Sequence, residues 1–285
     1  MVWITEQVFS AVSLVAILVL ITAGLHLTWG LLGVINLAHG EMLLVGAYAT
    51  WYVTSATGNI WLGLGAGALA AALAGWVIER TVIQFLYDRP IDTLVATWAV
   101  SIVVRQGVQL LFGAIPKAVT DPLVGGFVVG EMTISRWRAL LVVVAVLVVL
   151  ALRAIMQRTS FGLRVRAATS NRELALVQGL PVWRIYTQTF VLGCGLAGLA
   201  GGLIAPISAV TPFLGVDYAL PAFFVIVIGG VGSWAGMLLG AAIIGTATLG
   251  IALPTSYVIA QVLTLLLAIV FVRIRPQGLV RTLTG

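Results

Sequence analysis

Polar positions are sparse along this chain, and they separate long apolar runs rather than alternating with them. Nine runs stand out, at residues 8–32, 42–55, 60–86, 93–112, 137–155, 185–208, 219–231, 234–253 and 257–272. A helix that spans a bilayer needs about 20 mostly apolar residues. Two of the runs, 42–55 and 219–231, are short for a full crossing. Short or glycine-broken segments often fold as half-helices lining a cavity, where protein or water satisfies the freed backbone groups. The pattern predicts an all-α fold: a polytopic transmembrane helix bundle of eight or nine membrane segments, including short or broken helices. It forms a single domain over residues 1–285.

Composition sharpens this picture. Hydrophobic residues make up 61% of the 285 positions and charged residues 8%, against about 25% charge in a soluble domain. Too few polar groups exist to cover a water-facing surface, which excludes a soluble monomer and a disordered chain. The net charge is +6. The arginines fall between the apolar runs, so the basicity reads as loop charge flanking a lipid bilayer rather than as a nucleic-acid surface. Arg80, Arg89, Arg153, Arg158, Arg164, Arg166, Arg172, Arg184, Arg273, Arg275 and Arg281 share one side if all nine runs cross. Only Lys117, Arg136 and Arg138 then lie on the other side, with Arg105 inside a span. The positive-inside bias predicts an outside N-terminus and a cytoplasmic C-terminus. The first run is too long for a signal peptide and reads as a retained span.

Enzyme chemistry is not visible. There are two histidines, no Cys/His cluster for a metal, no G-x-S-x-G and no G-x-x-x-x-G-K-[ST]. The glycine-rich stretch 229–236 lacks the lysine of a nucleotide loop and reads as close helix packing or a break. Any ATP used in transport would be hydrolysed on another chain. The single cysteine, Cys194, reads as a small packed side chain. A short echo links 40–47 with 236–241, read either as a duplicated half or as chance in a chain rich in Gly, Ala and Leu.

Three features carry candidate function. The segment Gly33-Val-Ile-Asn-Leu-Ala-His-Gly-Glu-Met42 puts an amide, an imidazole and a carboxylate beside two glycines. It reads either as an unwound turn facing a polar solute or as an ordinary loop capped by Asn36. The basic loop 153–184 holds a short helix. Ser170 and Glu173 have capping-box spacing, and Gly179 with Pro181 reads as its stop. Such a helix inserts into a partner's groove or lies on anionic lipid. Arg105, flanked by Gln106 and Gln109, is either an interior site residue or one that snorkels to the outer interface. His26 reads as a hydrogen-bonded packing residue. Glu79 and Arg80, Asp88 and Arg89, and Asp217 read as boundary charges. An ion-coupled secondary transporter or channel would place carboxylates mid-span, whereas Glu41 and Glu79 fall at predicted ends.

The stretch from Gly33 to Tyr48 closely resembles the signature of LivH-type permeases, membrane subunits of bacterial ABC importers for branched-chain amino acids and relatives. Gly162-Leu-Arg-Val-Arg-Ala, with Asn171, Ala175, Gly179 and Leu180, resembles that family's cytoplasmic coupling segment. Residues 227–241 resemble its late glycine-rich stretch. The resemblance implies an integral inner-membrane permease that forms the translocation path by alternating access. It implies a second, LivM-like permease subunit, two cytoplasmic ATP-binding subunits and a periplasmic solute-binding protein. No cofactor is implied on this chain, and ATP-Mg is used by the partners. On this resemblance Asn36, His39 and Gly40 would lie near the substrate pathway, and Glu41 and Arg105 join them as polar residues in or beside the membrane. Arg164, Arg166, Asn171, Glu173, Ala175 and Gly179 would belong to the ATPase-coupling segment, with the coupling helix around Ser170–Gly179. Residues 89–98, with Gln106 and Phe112-Gly113, look more like the urea and short-amide branch, so that solute class stands as the alternative.

Overall fold

The computed structural model describes residues 2–87, 89–129 and 132–280. Asp88, read above as a boundary charge, and Arg281, placed with the basic residues of one side, lie outside the described residues. The elements follow the apolar runs. They are α1 (Val2–Leu25) continued by a π-helical turn (His26–Leu31), α2 (His39–Thr57), α3 (Ile60–Thr81), α4 (Pro90–Phe112), α5 (Arg136–Arg158), α6 (Ser160–Ser170), α7 (Arg172–Val177), α8 (Val182–Ile204), α9 (Leu214–Gly229), α10 (Trp234–Ala252) and α11 (Tyr257–Ile274). A small antiparallel hairpin, β1 (Gly126–Val129) with β2 (Met132–Ser135), interrupts the loop before α5. Helix starts follow local chemistry. Asn59, Ser135, Ser233 and Ser256 accept backbone N–H bonds in the first turns of α3, α5, α10 and α11, and Pro90 opens α4.

Among the described residues seven segments are long and apolar enough to cross a membrane: Val8–Leu31, Ile60–Phe85, Ile91–Phe112, Arg136–Arg158, Val182–Ile204, Trp234–Ala252 and Tyr257–Ile274. α9 is apolar but has 16 residues. α2 has 19 and opens on His39, Gly40 and Glu41. These two helices are the two short runs of the sequence.

The core is the contact of α2, α3 and α8, and small residues make it possible. A Cβ on Gly46 would overlap the backbone of Gly198, and one on Gly67 would lie 2.6 Å from the Gly46 carbonyl. Within lipid, helices associate by such close backbone approach rather than by hydrophobic collapse. Gly75 admits the Cys194 side chain, which is fully buried. Cys194 is thus the packed small side chain expected.

The helices form an inverted repeat. Gly24 of α1 meets Gly193 of α8 backbone to backbone, and Gly40 of α2 meets Gly215 of α9 in the same reciprocal way. From that meeting, α2 runs to the end of the bundle where Trp61 packs on Trp137 and Arg138 reaches Ser10. α9 runs to the opposite end, where Leu279 and Val280 donate to the Ile228 and Gly229 carbonyls. α3 packs on α8 as α10 packs on α1. α1–α4 therefore correspond to α8–α11 with direction reversed. The echo between 40–47 and 236–241 is not this symmetry, because it pairs α2 with α10 while the structure pairs α2 with α9.

Candidate functional site

The site begins where α1 fails to continue. After the π turn, Gly33 adopts φ +73°, a conformation that favours glycine, and the chain turns back into the bundle. Asn36 Oδ1 accepts the Ala38 N–H at 3.0 Å, which shapes the turn before α2. His39 Nε2 bonds the Ile21 carbonyl at 3.0 Å. Ile21 lies near the middle of the Val8–Leu31 span, so α2 starts at mid-depth. The start of α9 lies beside it, because neither Gly40 nor Gly215 has a Cβ to separate them.

Two helix N-termini therefore converge inside the bundle, and Glu41 sits between them. Its Oε1 accepts the Ser101 hydroxyl of α4 at 2.9 Å. Its Oε2 is buried and has no hydrogen-bond partner among the described residues. That oxygen lies 3.1 Å from where a Cβ on Gly215 would stand, so it is directed at the opening turn of α9. Arg105, one turn beyond Ser101, is half-buried and rests on the Phe213 ring at 5.9 Å. Among the described residues the only ion pair within 4.0 Å joins Arg89 and Asp92. Glu41 and Arg105 are thus neighbours of opposite charge that do not close on each other. His39 Nδ1 is likewise buried with no hydrogen-bond partner among the described residues.

The arginine-rich end carries the other candidate residues. α6 and α7 meet at Asn171, whose Oδ1 accepts the Leu174 N–H at 2.8 Å. Asn171, not Ser170, is the cap of α7; Ser170 is the last residue of α6. The helix stops as its sequence suggests. Gly179 has φ +76°, its N–H donates to Leu176, and Leu180 donates to Ala175. This is the Schellman arrangement, which favours glycine at that position. Ala175 is buried, while Arg164, Glu173, Leu174, Leu176 and Val177 are exposed. Arg166 is anchored, its guanidinium donating to the Met156 carbonyl at the end of α5.

Residues 7–272 match the family described as branched-chain amino acid transport system / permease component. The chain belongs to this family. The permease is 29% identical to the high-affinity branched-chain amino acid transport permease LivH of Escherichia coli K12, over 96% of this chain and 94% of that one. It is 27% identical to BraD, a permease of the same description from Pseudomonas aeruginosa, over 85% and 84%. It is also 27% identical to the fructose import permease FrcC of Rhizobium meliloti, over 83% and 65%. No solved structure matches it.

The permease brings Asn36, His39, Gly40 and Glu41 together in its interior and sets Arg105 at their margin. The readings of Glu41 and Asp217 as end charges are corrected, while Glu79 keeps its place near the end of α3 but is buried. Glu41 is at mid-depth, because α2 begins inside the bundle rather than at its surface. Glu79 is fully buried near the end of α3, where Tyr87 donates its hydroxyl to Glu79 Oε1 at 3.1 Å. Asp217 is exposed in the first turn of α9, two residues after Gly215 and thus near mid-depth rather than at a boundary, and its carbonyl accepts from Gln261. His26 packs on Trp234 at 4.3 Å, but its Nε2 has no hydrogen-bond partner among the described residues. Sequence reasoning missed Ser101. The signal was present: Thr93, Thr97, Ser101 and Arg105 recur every four residues in an otherwise apolar run and share one helix face.

Proposed function

We propose that this chain is one permease subunit of an ATP-driven importer in a bacterial inner membrane, carrying branched-chain amino acids or related small polar solutes by alternating access. The observation that carries this reading is the meeting of α2 and α9 at Gly40 and Gly215 around the unpartnered Oε2 of Glu41. Helix N-termini carry partial positive charge and suit a carboxylate, as broken helices do in other transporters. A buried anionic oxygen suits an ammonium or amide N–H. Asn36, His39, Gly40 and Glu41 would line the path, with Arg105 at its margin. An inverted repeat crossing at a shared centre supplies the geometry for rocking between outward and inward access.

In this reading nine segments carry the chain across the bilayer, α2 and α9 each completing a crossing begun by the non-helical stretch before it, with the N-terminus outside and the arginine-rich end cytoplasmic. α6 and α7 would dock on an ATP-binding subunit through Arg164, Asn171, Glu173 and the exposed apolar residues around Ala175. Arg166 and Gly179 would hold that surface in shape. A LivM-like second permease subunit, a second ATP-binding subunit and a periplasmic solute-binding protein would complete the importer, with ATP-Mg bound by the partners.

A tagged pull-down from native membranes in mild detergent tests the assembly. Stoichiometric recovery of a P-loop ATPase and a second permease is expected. Titration of the associated binding protein with leucine and with urea then names the solute. Recovery of this chain alone across several detergents would overturn the proposal in favour of a transporter acting by itself.

A further inference from the structure

The buried Glu79 and Tyr87 do not belong to the site around Glu41, yet they lie at one end of a continuous set of contacts that reaches it. Tyr87, in the α3–α4 connection, donates to Glu79 and packs its ring on Tyr186 at 4.9 Å and Trp183 at 5.9 Å. Both partners touch the α6–α7 segment. Tyr186 donates its hydroxyl to the Ala168 carbonyl of α6 at 3.2 Å, and Arg172 of α7 stacks on Trp183 at 4.8 Å. Burial and the adjacent Glu79 carboxyl push the Tyr87 phenol up from its ordinary range, in keeping with its role as donor to Glu79.

From Tyr87 the contacts continue along one face of α4. Thr93 donates to the Leu86 carbonyl at 2.8 Å, fixing the Leu86–Tyr87 turn to the first turn of α4. Thr97 accepts the Leu37 N–H at 3.1 Å, and its hydroxyl lies 3.4 Å from the Ile35 carbonyl, so it holds the broken segment before α2. Ser101 donates to Glu41. All three side chains are buried. By contrast Leu94, Val95, Trp98, Ile102 and Val103 face outward. Polar contacts rather than apolar burial therefore set much of the position of α4 in this chain. The stripe from Thr93 to Arg105 spans about 18 Å of helix.

We infer that Tyr87, Thr93 and Thr97 are positioning residues that transmit displacement of the α6–α7 segment through α4 to the Ser101–Glu41 bond. The inference rests on the proposed role of α6–α7 as the surface that meets an ATP-binding subunit. Coupling between distant sites needs a connected element with two arrangements. α4 is a rigid helix held at every turn on one face, and it moves as a unit when its Tyr87 end is displaced. Loss of a single hydroxyl at either end should then loosen solute movement from ATP hydrolysis without dismantling either site.

The test uses the assembled importer in proteoliposomes, with ATP hydrolysis and solute uptake measured together. Absence of ATP-driven uptake by the wild type would sink the importer reading itself, separately from this inference. With wild-type uptake present, Tyr87→Phe should lower uptake per ATP hydrolysed about three- to tenfold, with hydrolysis itself within about twofold of wild type. Thr97→Val should do the same, and the double variant should be no worse than the worse single. Hydrogen exchange at residues 39–42, with and without ATP, provides a readout that a merely structural role would not move. Tyr87→Phe should abolish the ATP-dependent difference there, and Thr97→Val supplies the same measurement if the Tyr87 variant fails to assemble. Wild-type uptake per ATP in these variants, multiplying effects in the double, or an unchanged exchange response would overturn the inference.

Discussion

Ser101 and Glu41, 60 residues apart in sequence, share a 2.9 Å hydrogen bond in the interior of the bundle. The bond fixes one carboxylate oxygen and leaves the other buried without a partner among the described residues. A buried polar atom left unsatisfied costs about 1–3 kcal/mol. A passing solute with an N–H donor would relieve that cost, and the converging starts of α2 and α9 would receive its negative end.

Glu41→Gln tests this directly. The variant keeps the shape of the side chain and an acceptor for Ser101, but it replaces the other carboxyl oxygen with an amide nitrogen that cannot accept a hydrogen bond. Charge-assisted hydrogen bonds contribute about 1.5–3 kcal/mol, so uptake by the assembled importer should fall at least about tenfold. Thermal melting of the purified chain should change little. Uptake close to wild type would exclude Glu41 from the solute path.

The α2–α3–α8 contact makes a separate prediction about stability. In Gly46→Ala the new Cβ would meet the Gly198 backbone, which cannot retreat without moving α8. Overpacking of this kind costs about 1–3 kcal/mol, and the melting temperature should drop by several degrees, roughly in proportion to that cost. Gly65→Ala is the control. Gly65 is exposed on α3 and nothing lies within 4 Å of an added Cβ. Equal melting of the two variants in detergent would contradict the packing described.

Arg164 and Arg166 are two residues apart and should behave differently. Arg164 is exposed on α6, whereas Arg166 is tied to the Met156 carbonyl. Arg164→Glu should weaken co-purification of the ATP-binding subunit and leave melting of this chain unchanged. Arg166→Glu should lower both, because it also frees α6 from the end of α5. Equal melting of the two would show that the Met156 contact does not hold α6.

Much of this fold was legible because a bilayer restricts the options. Apolar run length located the helices, and the glycines and polar residues at 33–42 located the break between α1 and α2. The depth of that break was not legible. It depends on His39 reaching the Ile21 carbonyl, a contact with no local signature. Glu41 therefore read as a residue at a helix end, although that helix end lies inside the bundle. The burial of Glu79 near the end of α3 was not legible for the same reason, since it depends on Tyr87 folding back over it. The inverted repeat left almost no trace in sequence, because equivalent positions such as Gly40 and Gly215 share only small size and close approach. The stripe on α4 could have been found from its spacing, but the partners of Thr97 and Ser101 lie 60 or more residues away.

The α6–α7 junction yields the last prediction, because two adjacent residues compete for one role. Ser170 and Glu173 have the spacing of a capping box, yet Asn171 supplies the oxygen that accepts the Leu174 N–H. Asn171 has extended backbone, which suits a cap, while Ser170 completes α6. Asn171→Ala should therefore cost about 0.5–2 kcal/mol of local helix stability, and Ser170→Ala almost none. Because α7 is only six residues long, that loss should fray it and raise hydrogen exchange across residues 172–177. Uptake per ATP in the assembled importer should fall with the same variant. If Ser170→Ala produced the larger exchange change, the cap would be the one the sequence spacing suggests, and α7 would begin one residue earlier.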